Sequence, residues 1–383
     1  GWGYRRTGSK NSKLRSTLVV FQFITSMILI ISTIIIYQQM QFIFHEDVGF
    51  EKEQVLLIQG ANTLDQQLLT FKNELLKLSE VEQVSVSDYL PLEGTNRNNN
   101  TFWKEGRVEQ DPPVASQIWR VDHDYIKTLG MNMVEGRDFN LAMASDSQAI
   151  VINQRMAQEL GLEDPLGASI TNGGRTWQVI GVVQDFNFQS FKEAIRPLCL
   201  VIGNSPSVIS VKVSTENMSA LTEAVTDVWK QFLPHQAIRF SFLDESFARM
   251  YTDVQRMVRI FTSFAILAIL LACLGLFALS AFMVEQRRKE ISIRLVLGAS
   301  LSQVFGLLTQ NYLVLILISL VVATPLSWYL MRRWLEDYTY RTQIGWDVFL
   351  VAGFMVVFIS VLTVSYQSIR AALVNPANNL RSE

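Results

Sequence analysis

IFTSFAILAILLACLGLFALSAFMV, residues 260–284, runs for 25 residues without an Asp, Glu, Lys or Arg. About 20 apolar residues in a helix cross the hydrocarbon of a bilayer. Soluble helices of this length carry charge on one face, so the stretch predicts a transmembrane span. Three more uncharged stretches match it: 18–36, 312–331 and 348–366. No small-x-small cleavage signal follows the first of them (TIIIYQQM, 33–40), so it reads as an anchor rather than a signal peptide.

Directly downstream of the quoted span lies EQRRKEISIRLVLGAS, Glu285–Ser300. A charge cluster (Glu285, Arg287, Arg288, Lys289) opens it and an amphipathic helix follows. Glu290 and Arg294 stand four apart in the favourable acid-first order, and Ile293 pairs with Leu297 at the same spacing. Gly298 is placed to cap that helix, and Ser300 or Ser302 to start the next. On spacing alone, a helix resting on lipid headgroups and a docking helix for a cytoplasmic partner are both open. Four spans put this loop on one side with the N-terminal flank (Arg5, Arg6, Lys10, Lys13, Arg15) and with Arg370 and Arg381 of the tail. The opposite short loop has Arg332, Arg333 and Arg341. Eleven bases against three predict that the first side is cytoplasmic.

Upstream, residues 45–255 hold 29 acids and 17 bases, whereas the rest of the chain holds 6 and 16. One acidic block thus sits between basic, apolar ones and is expected outside the cytoplasm. QVLLIQ (54–59), VSVS (84–87), ISVKV (209–213) and AIRFSFL (237–243) read as strands. Leu64, Leu68, Phe71, Leu75 and Leu78 step 4, 3, 4, 3, which predicts a helix, as do Leu221, Val225, Val228, Trp229 and Phe232. Two β-α-β units therefore bracket residues 100–200, where AIVIN leads into a helix ending near Gly161 and Asn172-Gly173-Gly174 marks a turn before TWQVIGVV. Phe247, Met250, Tyr251, Val254, Met257, Val258 and Phe261 form a heptad-like seam, which Tyr37, Met40 and Phe44 are placed to meet. A helix lying on the domain surface fits this pattern as well. We expect a two-helix stalk.

Catalytic constellations do not emerge. The histidines His45, His123 and His235 are isolated, and Asp122-His123-Asp124 reads as a turn rather than a metal site. No glycine precedes a lysine, which excludes a Walker-type phosphate loop in this sequence. A net charge of -2 excludes a generally basic nucleic-acid binder. Cys199 and Cys273 fall in the outer block and in a span, so no disulfide is expected between them. No cofactor is expected.

The loop Glu285–Ser300 follows the pattern R-x-K-E-I-x-I-R-x-x-L-G-A-S and resembles the cytoplasmic loop of the MacB/FtsX/LolC class of ABC transporter permeases. LRSTLVVFQFITSMILI resembles their first span. DYIKTLGMNMVEGRDF, AIVINQRMAQELGLEDPLG and VIGVVQDFNFQSFKEAIRP resemble the MacB-like periplasmic core domain. FLDESFARMY resembles the entry to the second span, and NPANNLRSE the family's ending. Leu295 stands where such loops often carry a base. The start at Gly1, with its basic stretch, resembles the second half of a duplicated eight-span Bacteroidetes-type permease.

The resemblance implies an α-helical inner-membrane protein with four transmembrane helices and a large mixed α/β MacB-like periplasmic domain between spans 1 and 2. Its expected segments are a basic flank (1–17), span and stalk (18–44), periplasmic core (45–243), stalk and span (244–284) and coupling helix (285–303). Span 3 (304–331), a periplasmic loop (332–347), span 4 (348–366) and a cytoplasmic tail (367–383) complete them. It implies a mechanotransmitting permease, not itself an ATPase, coupled through the loop to a separate cytoplasmic ABC ATPase subunit for export or extraction. Membrane lipid, a second permease half or dimer, a periplasmic adaptor and an outer-membrane channel are the other implied partners. Nucleic acid is not among them. An FtsX-like regulator of a periplasmic hydrolase and a membrane-anchored sensor are the alternatives.

Overall fold

Val55–Ile58 is a run of four side chains shielded from solvent on both faces, the pattern of a strand inside a sheet. Its neighbours are strands distant in sequence. The computed structural model describes residues 8–92, 98–203, 207–286 and 301–372. In chain order the first elements are α1 (Gly8–His45), β1 (Val55–Gln59), α2 (Leu68–Leu75), β2 (Val81–Ser87), β3 (Asn100–Lys104), β4 (Val114–Val121) and α3 (Tyr125–Thr128). Next come β5 (Met133–Gly136), β6 (Ala149–Asn153), α4 (Gln154–Leu160), β7 (Ser169–Asn172), β8 (Arg175–Val183) and β9 (Leu198–Ile202). The last are β10 (Val208–Val213), α5 (Met218–Phe232), β11 (Arg239–Phe242), α6 (Leu243–Arg249), α7 (Thr252–Gln286), α8 (Leu301–Leu335) and α9 (Trp346–Ala372). Two compact units result: residues 44–252, and residues 1–43 with 253–383.

In the first unit the two expected β-α-β segments interleave. β1 pairs antiparallel with both β11 and β10, and β10 pairs antiparallel with β2. The order β11-β1-β10-β2 is a split β-α-β sheet. α2 and α5 cover it, burying Phe71, Leu75, Leu221, Val225 and Trp229 against Leu56, Ile58, Ile209 and Val211. Each such side chain contributes about 1.5–3 kcal/mol. Phe71 meets Trp229 edge-on at 5.5 Å.

The chain between β2 and β10 builds a second lobe. β4 pairs with β3, β3 with β7, β7 with β8, β8 with β6, β6 with β9, and β9 with β4 again. The six strands close into a ring, which removes their free edges. Phe102, Ile150, Ile170, Trp177 and Cys199 lie in its core, with Met156 and Leu160 of α4. Asn153 caps α4 through its side chain, and Gly161 ends it in the left-handed conformation. Gly173 and Gly174 turn β7 into β8 with positive φ.

Three sequence expectations need correction. Residues 64–78 are not one helix. A 3-10 turn covers Ala61–Gln67, Asp65 has φ 41°, and α2 begins at Leu68. Leu64 still reaches the core at 2% exposure, so the apolar spacing is satisfied without continuous helix. The strand read at 237–243 shortens to Arg239–Phe242, because Leu243 already starts α6. The seam helix is interrupted at Met250 and Tyr251, between α6 and α7.

In the second unit, four helices are long and apolar enough to cross a membrane: Thr17–His45, Thr252–Phe282, Leu313–Leu335 and Trp346–Ser365. α1 is the most enclosed, with Phe23, Met27, Ile31 and Ile35 buried. α7 and α9 expose Phe264, Leu267, Leu271, Phe354 and Phe358, an outward apolar surface that suits lipid rather than water. Ser319 of α8 donates to the Val20 carbonyl of α1 at 3.2 Å. Gln39 of α1, fully buried, donates to the Tyr340 carbonyl (3.0 Å) and accepts from the Thr342 amide (2.8 Å). It thereby ties α1 to the loop between α8 and α9.

Candidate functional site

The expected coupling residues Arg287, Arg288, Lys289, Glu290, Ile293, Arg294, Leu297, Gly298 and Ser300 lie outside the described residues. Glu285 falls in the last turn of α7, its side chain outside the description. Of the seam residues, Tyr37 is exposed, Met40 and Val254 are buried, and Met250 is half-buried. Phe44, Phe247 and Tyr251 come together in the outer unit, where the Tyr251 ring meets both of the others.

That site begins where α1 ends. The Phe44 carbonyl, near the C-terminus of the helix, accepts from Lys52 Nζ at 2.8 Å, a cation on the negative end of the helix dipole. Lys52 also stands 4.8 Å over the Phe247 ring. Burial pulls the Lys52 pKa below its ordinary value against the opposing pull of Glu53, Asp47 and Asp244. Tyr251 is almost fully buried. It meets Phe44 at 6.1 Å, Phe247 at 5.4 Å and Phe191 at 6.3 Å, and its hydroxyl accepts from the Phe191 amide at 3.1 Å.

Phe191 belongs to the loop between β8 and β9, residues 184–197. The same loop is fixed to the segment after α1 by the Asn187 amide, which donates to the Val48 carbonyl at 2.8 Å. Gly49 has φ 82°, and a Cβ there would lie 2.6 Å from Phe186 Cβ. Close backbone approach at this point therefore requires glycine. On its other side the loop grips β4. Phe186 and Phe188 meet Trp119 at 6.1 and 5.2 Å, and Trp119 donates from Nε1 to Gln117 at 2.9 Å. Contacts therefore run without a break in the chain of partners from Phe44 and Tyr251, through one loop, to the ring of strands. Each aromatic pair adds about 0.5–1.5 kcal/mol beyond burial, and packed rings transmit displacement rather than absorb it.

The sequence reading named Phe44, Phe247 and Tyr251 but missed Lys52, Phe191 and Trp119. FNFQSF, with Phe186, Phe188 and Phe191 in a polar stretch, was the available signal. Neither helical nor strand spacing would have interpreted it.

Asp122-His123-Asp124 also has a different role from an exposed turn. Lys72 of α2, 8% exposed, donates to Asp122 and Asp124 at 2.6 Å each. Burial alone would lower the Lys72 pKa, but the two carboxylates outweigh it and hold it above the ordinary lysine value. Burial pushes the Asp122 carboxyl up against that same attraction. The triad clamps the covering helix of the split sheet to the end of β4. Among the described residues no group of three or more His, Cys, Asp or Glu could hold a metal ion. Cys199 is buried beside Ser116, and neither it nor Cys273 is in a disulfide.

Two family models match the chain: the MacB-like periplasmic core domain over residues 17–228, and the FtsX-like permease C-terminal region over 262–376. The macrolide export ATP-binding/permease protein MacB of Aggregatibacter actinomycetemcomitans is 21% identical over 300 residues, 75% of this chain and 46% of that protein. MacB 2 of Aeromonas hydrophila is 23% identical over 205 residues, 50% of this chain and 31% of its own length. The chain thus spans less than half the length of these relatives. The crystal structure of the periplasmic region of MacB from Actinobacillus actinomycetemcomitans matches with TM-score 0.38 and 16% identity, covering 53% of this chain and 94% of that one. The extracellular domain of the transporter YknZ matches with TM-score 0.34 and 19% identity, covering 45% of this chain and 87% of that one. With the MacB-like model alone covering more than half its length, the chain belongs to the MacB/FtsX-like permease family.

Proposed function

We propose that the chain is the permease subunit of an inner-membrane ABC transporter and works by mechanotransmission. A separate cytoplasmic ATPase subunit engages the loop Glu285–Ser300. Its movement passes along α1 and α7 to the periplasmic domain and drives export or extraction of a substrate. One observation carries this reading: the loop 184–197 is bonded to Val48 and Tyr251 on one side and packed on Trp119 on the other. Displacement of the helix ends at Phe44 and Tyr251 therefore reaches the strand ring through a stiff connection.

In this reading Arg287, Arg288 and Lys289 face the ATPase or the headgroups beside it, and Glu290 and Arg294 contact the ATPase. Gly298 turns the chain back towards α8. Residues 1–383 hold no Walker-type loop, so the ATP site of this reading lies outside them. The test is co-purification of the cognate ATPase with wild-type chain and with Arg294→Glu, together with ATP hydrolysis by the complex. Arg294→Glu should lower recovery of the ATPase at least tenfold, as expected when a buried charge contact is reversed. Equal recovery and equal hydrolysis would make the loop a membrane-surface element and overturn the reading.

A further inference from the structure

The outer unit contains a polar cleft of about 160 Å³ beside the strand ring, lined by Asn98, Ser116, Gln117, Gln189, Arg196 and Pro197. A single water occupies about 30 Å³ of liquid, and drug-sized ligands fill pockets of about 300 Å³ or more. The cleft therefore suits one or two peptide units.

Most of its polar groups are already committed. The Asn98 carboxamide takes the place of a strand beside β4, accepting from the Ile118 amide at 2.8 Å and donating to the Ile118 carbonyl at 2.6 Å. Gln117 accepts from Trp119. Ser116 donates to the Gln117 carbonyl. Two groups on the loop 184–197 differ. Gln189 has a buried side-chain oxygen with no hydrogen-bond partner. Arg196 is exposed, and among the described residues its guanidinium forms no ion pair. An orphan buried acceptor is costly to keep. Here it sits on a backbone held in place by Phe188 on Trp119 and Phe191 on Tyr251. The wall thus offers a forked cation and a carboxamide whose oxygen has no partner. Such a pair recognises a carboxylate next to an N–H donor.

We propose that this cleft binds the C-terminus of a peptide, with Arg196 on the terminal carboxylate and Gln189 on the adjoining amide. The site lies outside the ATPase contact and does not depend on it. The test uses the full chain in nanodiscs of zwitterionic lipid without ATPase. Binding of acetyl-Ala-Ala, its C-terminal amide and free alanine is followed by saturation-transfer NMR. The acid should bind at least tenfold more tightly than the amide and than alanine. Arg196→Gln and Gln189→Leu should each weaken it at least fivefold, and Arg196→Lys should fall between. Ala115→Trp, which fills the cleft from an exposed lining position outside the loop, should abolish the signal whether or not the loop variants keep their fold. Equal binding of acid and amide, equal binding of alanine, no binding by wild type, or full binding by Ala115→Trp would each overturn the proposal.

Discussion

Gln39 in the apolar unit and Lys72 in the outer unit do similar work in opposite surroundings. Each is almost fully buried on a helix and each ties that helix to a distant segment by two hydrogen bonds. In the outer unit the clamp is a charged triad, with Asp124 still 44% exposed. Water at its rim keeps the desolvation cost tolerable. In the apolar unit the clamp is a neutral carboxamide bonded to backbone. A charge there would have no solvent to fall back on. The helices show the same contrast. α5 buries Leu221, Val225 and Trp229 on one face, whereas α7 exposes Phe264, Leu267 and Leu271. Similar side chains therefore require water beside one unit and lipid beside the other.

Breaking the charged clamp should have the largest effect. Lys72→Met leaves Asp122 and Asp124 without their cation. Removing one partner of a buried pair costs 3–5 kcal/mol, and the partial exposure of both carboxylates places this case near 3 kcal/mol. The melting midpoint of the full chain in detergent, read by tryptophan fluorescence, should fall by roughly 6–12 °C. A fall below about 2 °C would show that the triad is a surface pair of little weight.

The neutral clamp comes next. Gln39→Leu removes both hydrogen bonds between α1 and the loop joining α8 to α9, a cost of about 1–3 kcal/mol. Hydrogen exchange at Thr342 should accelerate by about tenfold or more, while α5 keeps its protection. Unchanged exchange at Thr342 would remove Gln39 from the comparison.

Acid titration sharpens the contrast, since the affected carboxyls belong to the outer unit. Burial raises Asp88 and Asp138 from 3.8 to about 6. Between those values the folded state holds protons that the unfolded chain has lost, so stability falls as pH rises through that window. From pH 5 to pH 7 the loss should be about 1 kcal/mol per group. Asp88→Asn keeps an acceptor for the Arg120 amide and should remove about half of that slope. An unchanged slope in Asp88→Asn would assign the pH dependence elsewhere.

How much of this was legible in the sequence depends on the range of the contact. α5 and the four spans were readable, because local apolar spacing and uncharged length are intrinsic to each segment. The closure of the ring was not, since β4 meets β9 about 80 residues later and no spacing encodes that parallel pairing. No local spacing marks Lys72, because its partners lie 50 and 52 residues away. Gln39 and Thr342 are 303 residues apart. Leu64 marked the core correctly but the helix wrongly, because one buried side chain fits a 3-10 turn as well as an α-helix. The seam residues Phe44, Phe247 and Tyr251 were found through heptad spacing, yet the structure groups them around a loop that spacing did not identify.

Tyr251→Phe is the gentlest perturbation. It keeps the ring contacts and removes the acceptor of the Phe191 amide, at a cost of about 1 kcal/mol. Exchange at Phe191 should rise severalfold with little change in the melting midpoint. A large drop in the midpoint would instead make the hydroxyl part of the domain core.

The most direct test of mechanotransmission is hydrogen exchange in the complex of the full chain with its ATPase, with and without a non-hydrolysable ATP analogue. The account predicts that nucleotide changes the protection of residues 184–197 and of β4 in wild type, and that Phe191→Ala abolishes the change in β4 while nucleotide still binds. An unaltered outer unit in wild type, or the same response of β4 in Phe191→Ala, would contradict it.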